Sequence, residues 1–142
     1  MSRARSWAVI GLIALAIGGA VWASRPPDRM REISGVWLLE FEGSNFFEGA
    51  TAATVRDFDP DDAGWLDEGD AIDVGKLLAE DGGSANCYKV HAFELRFKGR
   101  RHAGASGHLG MRNSRYEVDE IIEIKPIAWP ECDSPYDWKA ER

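Results

Sequence analysis

The sequence predicts a mainly β fold: a small antiparallel barrel or a sandwich with one short helix, preceded by one N-terminal hydrophobic helix. Three observations predict it. Residues 87–99 alternate, with His91, Phe93, Leu95 and Phe97 on one side and Tyr88, Val90, Ala92, Glu94, Arg96 and Lys98 on the other. Residues 116–124 repeat the pattern: Tyr116, Val118, Ile122 and Ile124 share a face opposite Glu117, Asp119 and Glu123, and only Glu120 breaks the rule. Residues 35–41, GVWLLEF, set Trp37, Leu39 and Phe41 against Val36, Leu38 and Glu40.

In chain order, the first feature is Trp7–Ala23, WAVIGLIALAIGGAVWA, which no charge interrupts. As a helix its 17 residues rise about 26 Å, enough to cross a thin hydrocarbon layer. Trp7 and Trp22 stand where interfacial tryptophans belong. Residues 1–23 therefore read as a transmembrane anchor, or as a secretory signal cleaved after Ala23. Either reading places the remainder beyond the cytoplasm. The anchor reading gives a single-pass inner-membrane protein with a periplasmic or extracellular domain; the signal reading gives a secreted one. Residues 24–32, stiffened by Pro26 and Pro27, read as a linker, 33–128 as the β-rich domain, and 129–142 as a polar-aromatic tail.

Within the domain, Gly43-Ser44-Asn45 interrupts the first strand, and residues 51–58, TAATVRDF, suggest another. Residues 57–73 carry eight acids and no base. Residues 73–80 read as the short helix, with Asp73 as its cap and Val74, Leu77 and Leu78 on one face. A short helix set among strands is what an OB-like barrel carries between its third and fourth strands.

The chain has 142 residues and a formal charge of −7, and 44% of it is hydrophobic. That composition excludes a disordered chain and a coiled coil. Without residues 1–23 the charge approaches −9, which argues against a nucleic-acid partner. Cys87 and Cys132 are the only cysteines. In an oxidising compartment one bridge between them would stabilise by about 3–4 kcal/mol.

The chemical inventory is thin. The glycine-rich stretch 99–110, GRRHAGASGHLG, has basic residues around it. Arg96, Arg100, Arg101, His102, His108 and Arg112 form a candidate site for an anionic ligand. Ser106 lies in a run that lacks the correct glycine spacing of a nucleophile elbow. Three histidines make a poor zinc set, and His91 fits a core position. Glu40 and Glu42, on one strand face, are a weak acid–base pair. In 59–70, Asp59, Asp61, Asp67 and Asp70 fall at the first, third, ninth and twelfth places of a calcium loop. Ala63 removes one ligand, so calcium would bind only weakly. Trp129, Tyr136 and Trp138 are candidate anchors for a protein partner.

The segments 41–46 (FEGSNF), 107–111 (GHLGM) and 116–122 (YEVDEII) resemble parts of small, uncharacterised bacterial domains that are secreted or carried on one membrane span. The resemblance implies a compact strand-rich domain and brings no activity with it. The expected protein is a non-enzymatic, membrane-anchored accessory or interaction domain that needs no cofactor. Its alternative is a binding module for an anionic ligand or, weakly, for calcium.

Overall fold

The computed structural model describes residues 29–79, 89–130 and 132–135. Five strands appear, β1 (Arg31–Glu40), β2 (Gly43–Glu48), β3 (Gly64–Asp67), β4 (His91–Ser106) and β5 (Arg112–Pro126), with one helix, α1 (Val74–Ala79), between β3 and β4. The strand order is β1-β2-β3-β5-β4, and β4 pairs back onto β1, so the single sheet closes on itself. All neighbours are antiparallel except β3 and β5, which run parallel over Trp65–Asp67 and Arg115–Glu117. The expected all-antiparallel sheet, in barrel or sandwich form, is thereby corrected: the sheet is mixed, and there is one sheet where a sandwich needs two.

The parallel pair follows from the connections. A two-residue turn at Phe41 and Glu42 joins β1 to β2, with Glu42 at φ +57°. The long crossover through α1 returns the chain to the far side of β1, and the β4–β5 hairpin then curls until β5 reaches β3. Two bulges permit that curl. Arg96 faces Glu123 and Phe97 faces Ile121, which leaves Ile122 extra; Lys98 faces Glu120 and Gly99 faces Val118, which leaves Asp119 extra. Gly99 is required there: a Cβ would lie 2.1 Å from the Glu117 carbonyl oxygen.

The interior holds Ile33, Trp37, Phe46, Leu66, Phe93, Leu95, Phe97, Tyr116 and Val118. Phe46 meets Phe97 and Tyr116 edge to face, with centroids 5.5 and 4.9 Å away. A second cluster lies on the outer face of β1 and β2, where Val36, Leu38 and Phe47 pack with Ala50, Val55, Ala63, Val90 and Ala92. Both faces of β1 are thus buried. Residues 51–58, expected as a strand, are turns that end in a short 3-10 helix, Val55–Asp57, which covers this outer cluster. Trp129, assigned to a tail, packs on the same cluster, and β1 begins inside the expected linker.

Among the described residues no helix is long and apolar enough to cross a membrane. The segment 7–23 lies outside those residues. The expected anchor, the membrane contact and the inner-membrane placement rest on that segment and find no support among the described residues, whose strands and α1 form a small mixed α/β domain.

Candidate functional site

The glycine-rich stretch is not a long loop. β4 continues to Ser106 and β5 starts at Arg112, so only Gly107–Met111 turns. Gly107 sits at φ +73° against the Trp65 ring, where a Cβ would come within 2.3 Å. Ser106 donates its hydroxyl to the Ser114 carbonyl at 2.7 Å, which holds the hairpin end together.

The basic residues of the expected anion site are held by partners inside the domain. Arg96 meets Glu32 at 3.2 Å and Glu123 at 3.8 Å. Arg100 meets Asp119 at 3.1 Å, and His102 Nε2 lies 2.9 Å from Glu117. His108 lies 3.7 Å from Glu42. Arg101 stacks over the Tyr116 ring, 5.8 Å from its centroid. Arg112 is buried, donating to the Pro60 carbonyl at 2.8 Å and to Asn45 Oδ1. The outer face of the hairpin is therefore a ladder of opposite charges, and the residues expected to hold an anion are placed in or beside it. Cross-strand pairing of β4 bases with β5 acids follows from the register.

The ladder moves titrations in consistent directions. The hydrogen bond from His102, opposed by burial and aided by Arg100, holds the Glu117 carboxyl below its usual range. Lys98 is raised by its hydrogen bond to Glu120, and Glu123 is lowered by Lys125. Inside the ring, burial first and the Glu48 carboxylate second push Tyr116 up to about 12. Its hydroxyl donates to Glu48 at 2.9 Å, and Arg31 reaches the same carboxylate at 2.6 Å.

The expected calcium loop is divided between other structures. Asp59 caps a 3-10 turn, Pro60–Asp62, accepting from the Asp61 amide at 2.9 Å. Asp67 belongs to β3 and lies 3.6 Å from Arg115. Among the described residues no group of three or more histidines, cysteines and carboxylates is gathered for a metal.

Of the expected partner anchors, Trp129 is half-buried, donates its ring N–H to the Asp133 carbonyl at 2.9 Å, and lies under the Arg56 guanidinium. It packs against the outer cluster. Tyr136 and Trp138 lie outside the described residues. Cys132 is disulfide-bonded, and Cys87, also outside the described residues, is the chain's one other cysteine.

An apolar opening lies beside α1 among the described residues. β3 covers β5 only as far as Glu117, and beyond that point α1 lies across the inner face. Between them is a groove of about 250 Å³ lined by Ala71, Ile72, Asp73, Lys76, Leu77, Ile121 and Ile124. Asp73 caps α1 by accepting the Lys76 amide at 3.0 Å, which turns Leu77 toward the core. The aliphatic walls of the groove stay half-open except for Ile72, which is buried. Sequence reasoning placed Leu77 and Ile124 on inward faces but missed their meeting, and it set Ile122 inward without naming Ile121, because a bulge has no signature in an alternating pattern.

Comparison with protein-family models, with curated proteins and with solved structures finds no match for this chain.

Proposed function

We propose that this domain is a non-catalytic binding module whose site is the groove between α1 and β5, and that it takes one small aliphatic group. The observation that carries this reading is the groove itself. Ala71, Leu77, Ile121 and Ile124 belong to the margin of the interior cluster yet remain partly open. An apolar group seated there gains about 25 cal/mol for each Å² of apolar surface removed from water. The lining is apolar with two polar side chains at its mouth, the general composition of a small-molecule site.

The reading is non-catalytic because the polar side chains that could do chemistry are engaged elsewhere. Ser106 closes the hairpin, His102 holds Glu117, and neither lines the groove. Ile124→Gln tests the site. It should weaken binding of a small aliphatic alcohol about tenfold or more, read from the alcohol's shift of the Leu77 and Ile121 methyl resonances. An unchanged affinity, with the variant still folded, would remove the groove from consideration.

A further inference from the structure

The groove has a mouth with two charges, and their placement restricts what enters. Asp73 and Lys76 both line it, three positions apart at the start of α1. Side chains at that spacing are neighbours on a helix, with Cβ atoms about 5–6 Å apart. Among the described residues neither takes part in an ion pair, whereas the hairpin ladder pairs Arg96, Lys98, Arg100, Arg115 and Lys125 with carboxylates. The mouth thus offers one uncommitted ammonium and one carboxylate with a free oxygen: Asp73 Oδ1 takes the Lys76 amide, and no hydrogen bond engages Oδ2. Behind them, among the described residues, the walls are aliphatic, Ala71, Ile72, Leu77, Ile121 and Ile124, with no aromatic ring to stack a planar group. A space of about 250 Å³ is about eight water volumes, enough for one branched side chain and its head group and too little for a nucleotide.

From this we infer that the ligand is a free aliphatic α-amino acid, its side chain among Leu77, Ile121 and Ile124, its carboxylate at Lys76 and its ammonium at Asp73. An amino acid carries opposite charges two bonds apart around one carbon, and the mouth presents the complementary pair one helical turn apart. A fatty acid would leave Asp73 facing its carboxylate, and an aliphatic amine would leave Lys76 facing its ammonium. The inference rests on the groove being the binding site.

The test is a titration of the full-length chain with leucine, isocaproate, isoamylamine and isoamyl alcohol, read at the methyl resonances of Leu77, Ile121 and Ile124. Leucine should bind tightest. Asp73→Asn, which keeps the helix cap, and Lys76→Met should each weaken leucine about fivefold, the upper range for an exposed charge pair, and leave the alcohol unchanged. If the alcohol shifts these methyls as well as leucine does, or if both variants leave leucine unaffected, the amino-acid inference fails and the groove reading stands. If no compound moves these methyls, the groove reading fails and the inference with it.

Discussion

Arg112 shows how one residue type can carry two opposite meanings. In the sequence it stands among six basic residues flanking glycines, which suggests a surface for anions. In the structure it is 4% exposed and joins three segments, since its guanidinium holds the Pro60 carbonyl and Asn45 while Asn45 donates to Glu40 at 3.1 Å. The fork of donors that would grip an anion instead satisfies a buried carbonyl and a buried amide. Arg112→Met removes these bonds and leaves both acceptors buried, so urea denaturation should show a loss of about 2–4 kcal/mol with the slope unchanged. Arg112→Lys should fall between, because an ammonium cannot reproduce the planar fork. A fully stable Arg112→Met protein would mean that the clamp is incidental to folding. The letters alone do not distinguish a solvated arginine from a buried one: the difference lies in Asn45 and Pro60, far away in sequence.

At the scale of elements, period-two alternation was readable where the ladder is regular. On the inward face of β4, Phe93, Leu95 and Phe97 are buried and His91 is half-buried, Tyr116 and Val118 are buried on β5, and Ala92 is buried on the outer face of β4. The alternation fails after Val118 because Asp119 and Ile122 are extra residues. Glu120, which seemed to break the rule by facing inward, is carried outward to Lys98 at 2.7 Å, and Ile121 goes inward in place of Ile122. The short helix was readable from its cap and apolar face. β3 was not, because Gly64–Asp67 lies in an acidic run and is only four residues long. The bulge that leaves Asp119 extra depends on Gly99. Gly99→Ala must push its methyl against the Glu117 carbonyl, 2.1 Å away, and should cost about 1–3 kcal/mol. Hydrogen exchange should then quicken on both sides of the bulge, at 97–101 and 117–121, and stay slow on β1 and β2. Uniform quickening would show instead that the bulge is not a local hinge of the sheet.

At the scale of the whole molecule, the ring of strands and the cover on its outer face are held differently. The ring is closed by hydrogen-bonded registers on every side, the thinnest being the two seams of β3: two residue pairs with β2 and three in the parallel pairing with β5. The outer cover has no ladder. It consists of the turns around Val55 and Ala63 and the segment from Ile127 to Asp133, joined by apolar contact, by Ile127 N–H donating to Ala92 O at 2.9 Å, and by the Arg56–Asp133 pair. Cys132 lies at the end of that cover and is disulfide-bonded. With Cys87 as the only other cysteine, the bridge closes a loop of about 45 residues, worth about 3–4 kcal/mol in the chain-entropy picture. Reduction should therefore lower the unfolding free energy by that amount, read as a fall in the urea midpoint. Its effect on exchange should be uneven: the Ile127 amide should open well below the global free energy, while the amides of Phe46 and Phe97 should change only with global stability. If the midpoint falls and Ile127 tracks the core amides, the cover and the ring unfold as one unit and the bridge acts on the unfolded chain alone. If the midpoint does not move, the cover is held in place by Trp129 and the Arg56–Asp133 pair without the bridge.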